Sequence, residues 1–217
     1  MSTAYVNCDN TNKDFLLSTP EMIVDKDFDA EETYQFLKSK SAKYLNEHEA
    51  TIIGTYPNTY TFTKNISERM LQNRRGDLPM VIIRPSIVGA AYQEPMPGWV
   101  DNLAALSGFI FVFGLGIINE APGKFSNHAN FIPVDFVVNA IIATACSQAN
   151  KDSLLVCHSA SPKHNSCGHT DVVNAVIEFS EKNPFERKAM PIYIKLYDNP
   201  VQYRLRRIRR FVGKQSL

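Results

Sequence analysis

The chain has 217 residues, 44% hydrophobic and 21% charged, the composition of an ordinary soluble globular protein with enough length for one domain with a real core, or one and a half. Its net charge of +1 makes no global case for nucleic acid, and its longest apolar run, around Phe109 to Phe113, is far short of the roughly eighteen residues that span a bilayer. No basic-then-apolar leader opens the chain, its last three residues are not the Ser-Lys-Leu address, and its four cysteines read as free thiols in a reducing compartment.

In chain order, Ser2 to Asn7 reads as the second half of a buried strand, which carries the expectation that an upstream half is missing. Residues 8–27 are polar and turn-like. Residues 28–49 are predicted as one helix, with Asp29, Glu31 and Glu32 near its positive end. A loop over Thr51 to Asn58 follows, and Asn58 is a plausible N-cap for a helix running to about Arg75, with Gly76 as its stop. On that helix Phe62, Ile66 and Met70 form an i, i+4, i+8 stripe able to pack on a sheet. Residues 80–84 form a strand, apolar as in a parallel sheet covered on both faces.

A Gly/Pro-rich loop over 89–98 and a short helix over 99–107 come next. Residues 109–118 read as a buried strand or core loop, or as the lining of an apolar channel, with Gly114 and Gly116 permitting close backbone approach. Pro133 to Ser147 is a helix, Leu154 to His158 a strand, His169 to Lys182 a helix and Asn199 to Val212 another. Strands alternating with helices give an α/β layered fold.

Charge is unevenly spread. Residues 1–50 hold ten acids and five lysines, a balance of −5; residues 195–217 hold five arginines and two lysines against Asp198, a balance of +6. On the last helix Val201, Leu205, Ile208 and Val212 form a stripe among Arg204, Arg206, Arg207, Arg209 and Arg210. Such a helix can lie peripherally on an anionic membrane surface, hold phosphates, or await a covering domain.

The chemistry-bearing pair is Tyr60 and Lys64, four apart and therefore on one helical ridge. An ammonium beside a phenol favours the phenolate, so the pair can give and take a proton near neutral pH. Tyr34 and Lys38 share the spacing but sit in an acidic, loosely periodic stretch, which reads as a solvated helix face. Cys157, His158, His164, Cys167 and His169 crowd together, yet without a Cys-x2–4-Cys pair the plain reading is a strand end, a loop and a helix start.

Five segments, in order, resemble the fatty acyl-CoA reductases: Ser-Thr-Ala-Tyr-Val-Asn at 2–7, Pro-Asn-Thr-Tyr-Thr-Phe-Thr-Lys at 57–64, Arg-Pro-Ser-Ile-Val-Gly at 84–89, Glu-Pro-Met-Pro-Gly-Trp-Val-Asp-Asn at 94–102 and Ile-Pro-Val-Asp-Phe-Val-Val-Asn-Ala at 132–140. The resemblance implies an extended short-chain reductase. Its fold would be the C-terminal portion of a Rossmann-like parallel sheet over 1–165, with a helical part of a smaller substrate domain over 166–217. It implies NADPH as cofactor and a fatty acyl-CoA as substrate, reduced through an aldehyde to the alcohol at a peroxisomal or endoplasmic reticulum surface.

Carried over by residue, Thr3, with Ser2 as its close rival, donates a hydrogen bond to the substrate carbonyl. Tyr60 protonates that oxygen, Lys64 holds the nicotinamide ribose and tunes Tyr60, and Pro85 and Ser86 edge the nicotinamide. The sequence departs from the family in having no Gly-x-x-Gly-x-x-Gly turn and no basic residues placed to read a 2′-phosphate, and in carrying Asn130 where an acid is usual. The chain therefore reads as a catalytic half without its cofactor-binding half. Two rival readings stand beside this one: a related reductase acting on a sugar nucleotide or steroid, and a catalytically silent lipid- or partner-binding remnant.

Overall fold

The computed structural model describes residues 1–217 apart from 13–14, 16–19, 125, 150, 166, 185, 187–192, 200 and 207–217. In chain order its elements are α1 (Ala30–Ser39), α2 (Ala42–Glu47), α3 (Glu49–Ile53), α4 (Thr59–Arg74), β1 (Met80–Pro85), β2 (Ile87–Gly89), α5 (Ala105–Gly114), β3 (Glu120–Pro122), β4 (His128–Ala129), β5 (Phe131–Pro133), α6 (Val134–Gln148), β6 (Leu154–Ser159), a 3-10 turn (Lys163–Asn165), β7 (Cys167–Gly168), α7 (His169–Lys182) and β8 (Lys195–Tyr197). The architecture is mixed α/β with parallel strand pairs, that of a Rossmann-like domain. It resolves into two compact units, Met1–Ser86 with Ile132–Ala160, and Ile87–Phe131 with Ser161–Leu217.

The first unit is built on β1. Its run Met-Val-Ile-Ile pairs in parallel with β6, in register from Met80 opposite Leu154 to Pro85 opposite Ser159. On the other edge Ser2 N–H donates to the Ile83 carbonyl at 2.7 Å and Ala4 N–H to that of Pro85 at 2.8 Å, so Ser2 to Ala4 run alongside β1 in the same sense. Side chains alternate across the strand as the pleat requires. Val81 and Ile83 share a groove with Ile141, Thr144 and Ala145 of α6, whereas Met80 and Ile82 share one with Lys64, Ser67 and Leu71 of α4. The helix α6 lies against one face of the strand, and on the other Ile82 packs with Ile23 and Val156, which is why almost every residue in it is apolar.

The helix α4 forms where its punctuation places it. Asn58 Oδ1 accepts from the Thr61 N–H at 2.9 Å, and the chain leaves the helix through Arg75 and Gly76, the latter at a φ of 56°. Asn58→Ala is expected to cost about 0.5–2 kcal/mol, read as a lower urea midpoint at unchanged slope. The stripe Phe62, Ile66 and Met70 does not pack on the sheet as anticipated. It closes a helical cluster with Ala30 of α1, Ile52 and Ile53 of α3, and Tyr56. The single helix expected over 28–49 is two, and a third, α3, takes the start of the loop expected over Thr51 to Asn58. Lys40 is extended, the Ser41 side chain accepts from the Tyr44 N–H and starts α2, and α3 follows a break at His48. A serine able to cap a new turn competes with continuing the old one.

In the second unit β3 pairs in parallel with β8, and β4 antiparallel with β7. The Phe-rich segment near 109 is a helix, α5, and not the buried strand or loop expected. Phe109 and Phe113, one turn apart, pack ring to ring at 4.2 Å, and α5 lies against α7. This packing overrides the strand preference of aromatic residues. Gly108 is required there, because a Cβ would collide with the Leu103 carbonyl. The helix expected over Asn199 to Val212 is present at 201–206; its remainder lies outside the described residues.

Candidate active site

The expected site residues Ser2, Thr3, Tyr60, Lys64, Pro85 and Ser86 all lie in the first unit, and Ser2, Thr3, Pro85 and Ser86 meet at the C-terminal end of β1. In open α/β sheets this end is where ligands bind. The register described above brings Ser2 and Thr3 alongside Ile83 to Pro85. Both are buried, 5% and 4% exposed. Their hydroxyls differ: Thr3 Oγ1 accepts from the Tyr5 N–H at 3.3 Å, while Ser2 Oγ is buried with no protein partner. Pro85 is buried, and Ser86 is fixed by its N–H donating to the Ser159 carbonyl at 3.0 Å. Ser86 Oγ likewise has no protein partner. Buried hydroxyls left without partners cost stability unless something else satisfies them.

Tyr60 and Lys64 sit one turn apart on α4. The Tyr60 ring is 54% exposed, and the Lys64 ammonium lies 5.9 Å from its centroid, within cation–π range. Lys64 Nζ also donates to the Met1 carbonyl at 3.2 Å, tying the helix to the backbone next to Ser2. This bond uses one of three ammonium donors.

Other tyrosines are placed differently. Tyr34 lies on α1 with the Arg74 guanidinium over its ring. The Tyr56 phenol is pushed well above the usual range, chiefly by burial and then by the Asp9 carboxylate, so it stays protonated. Burial also pushes the Cys157 and Cys167 thiols up. Among the described residues no three His, Cys, Asp or Glu side chains come together as a metal set.

One part of the arrangement was not found from sequence. Directly beyond Lys64 on the same ridge, Glu68 is 2% exposed, and Arg84 on β1 is 0% exposed. Arg84 Nε donates to Glu68 Oε1 at 2.9 Å and Nη2 to Oε2 at 2.5 Å; the same guanidinium donates to the Pro20 and Met22 carbonyls, each at 3.0 Å. This two-pronged buried pair locks α4 to β1. It also occupies the carboxylate that would otherwise face Lys64 one turn away. The signal available was the continuation of the Tyr60, Lys64 spacing to Glu68.

A family model described as "Male sterility protein", an NAD-binding domain, matches residues 1–141. The chain belongs to the fatty acyl-CoA reductase family. It is 37% identical over 192 residues to fatty acyl-CoA reductase 2 of Mus musculus, covering 86% of this chain and 35% of the relative. It is 32% identical over 205 residues to fatty acyl-CoA reductase 1 of Xenopus laevis, covering 94% and 39%, and 35% identical over 145 residues to fatty acyl-CoA reductase wat of Drosophila melanogaster, covering 67% and 27%. The chain thus spans about a third of the length of the curated relatives it matches. Among the described residues no helix is long and apolar enough to cross a membrane.

Proposed function

We propose that this chain carries the carbonyl-reducing site of an NADPH-dependent reductase that converts long-chain fatty acyl-CoA, through the aldehyde, to the alcohol. The observation that carries the reading is the Tyr60–Lys64 ridge held against the backbone of Met1, beside the buried, unpartnered Ser2 hydroxyl.

The residues present fit one end of the cofactor. Ser2 and Ser86 offer buried hydroxyls lacking protein partners, and Lys64 keeps free ammonium donors for ribose hydroxyls. A pyrophosphate cradle of the Gly-x-x-Gly-x-x-Gly type is not among them. When bound, the reduced nicotinamide supplies hydride to the carbonyl carbon. Tyr60 gives its phenolic proton to the carbonyl oxygen as charge builds there, and Lys64 stabilises the phenolate left behind. Ser2 or Thr3 orients that oxygen by donating a hydrogen bond. Pro85 presents a flat apolar edge, and the Glu68–Arg84 lock keeps α4 and β1 at fixed separation. With a thioester the first reduction releases the CoA thiol and leaves an aldehyde; a second reduction at the same proton donor yields the alcohol.

The test is to supply a long-chain acyl-CoA with NADPH or with NADH, and to follow cofactor oxidation, free thiol and fatty alcohol together. Consumption of two NADPH per CoA released, with NADH poorer, is the expected result. Absence of NADPH binding at millimolar cofactor would leave the chain a lipid- or partner-binding remnant instead. Faster turnover of a sugar nucleotide or steroid would reassign the substrate.

A further inference from the structure

The second unit contains a cavity of about 300 Å³ that none of the residues assigned so far touches. Its walls come from α5 (Leu106, Phe109), α7 (Val172, Val173) and β8 (Leu196), with Ile87 and Phe131 from neighbouring strands. One polar side chain lines it, His169, whose Nδ1–H is committed to the Lys124 carbonyl at 3.0 Å. None of the buried side-chain atoms lacking hydrogen-bond partners belongs to this lining. The walls therefore ask nothing polar of an occupant. A sugar, a nucleotide or a carboxylate seated here would lose its water and regain almost no hydrogen bonds. A hydrocarbon gives up no hydrogen bonds and gains contact with the apolar walls. The volume is at the lower end of the roughly 300–1,000 Å³ of small-molecule sites, enough for one unbranched chain and not for a whole acyl-CoA.

We propose that this cavity, walled by α5, α7 and β8, binds the alkyl chain of the substrate and sets its preferred length, with Val172 and Leu106 as length-determining side chains. The inference rests on the acyl-CoA reading above and assigns it a pocket.

The test reads binding separately from turnover. Saturated n-alkanoic acids of increasing length are titrated against the whole chain by displacement of cis-parinaric acid, whose fluorescence rises in apolar surroundings. Affinity is expected to rise about four-fold per added methylene and then to level off. Val172→Trp fills the cavity and moves the plateau several carbons shorter; Leu106→Ala enlarges it and moves the plateau longer. Far-UV circular dichroism and the urea midpoint verify that each variant is folded.

Failure of the wild-type chain to bind the probe saturably overturns the inference, whatever the variants do. So does a plateau that stays in place in folded Val172→Trp and folded Leu106→Ala. Reductase activity whose chain-length profile ignores both substitutions overturns the inference and leaves the proposed reaction standing. Length-dependent binding that shifts with both variants, in a chain that does not oxidise NADPH, supports the cavity assignment and removes the reaction.

Discussion

Tyr60→Phe is expected to lower turnover by about 10²–10⁴-fold, the range for loss of a positioned proton donor. The change deletes one oxygen from a side chain that is 54% exposed, so stability should move by no more than about 0.5 kcal/mol. Cofactor affinity should hold as well, because Lys64 keeps its own position through the Met1 carbonyl. Steady-state rates with acyl-CoA and NADPH, beside a cofactor titration and a urea melt, separate these effects. Tyr34→Phe is the control: it repeats the spacing to a lysine on α1, under Arg74, and should leave the rate untouched. A Tyr60→Phe rate within three-fold of the parent would remove the phenol from the mechanism.

Arg84→Ala is expected to destabilise the first unit by about 3–5 kcal/mol, the cost of leaving a buried carboxylate without its partner. Of a total stability usually near 5–15 kcal/mol, that is enough to unfold a marginal domain. The double variant Glu68→Leu with Arg84→Met removes both charges and should recover much of the loss. Recovery should stay incomplete, because the Pro20 and Met22 carbonyls also lose the guanidinium that they accept from. Urea midpoints of the parent, both single variants and the double variant give the coupling directly. A cycle showing no coupling would mean that water satisfies Glu68 and that the lock between α4 and β1 is only apparent.

These elements also mark how far the residues alone could lead. The helix from Asn58 to Arg75 was legible because its punctuation is local: a capping asparagine at one end and a glycine at the other. The strands β1 and β6 and the helices α6 and α7 were legible for a similar reason, since buried strands and amphipathic helices differ in period within a short window. The failures share the opposite cause. Ser41 interrupts a good helical pattern with a side-chain hydrogen bond that composition does not announce. The aromatic run at Phe109 has strand-like residues and becomes helical through packing with α7. The Arg84–Glu68 pair joins residues sixteen positions apart on different elements, and its arginine lies hidden at the end of an otherwise apolar strand. At the site itself, sequence left Ser2 and Thr3 as rivals. Their backbone neighbours are now known, and their hydroxyls differ in one respect, that Thr3 Oγ1 already accepts from the chain while Ser2 Oγ has no protein partner.

The pairing of β1 with β6 has a consequence for biosynthesis. Met80 meets Leu154, seventy-four residues downstream, and everything between Ile87 and Phe131 belongs to the other unit. At roughly 5–20 residues per second, a ribosome takes about 4–15 s to deliver the partner after the first strand has emerged. For that interval Met-Val-Ile-Ile is an open hydrophobic edge, a template for association with other nascent chains. A molecular chaperone that recognises short extended apolar segments would find a target here for as long as that edge stays open.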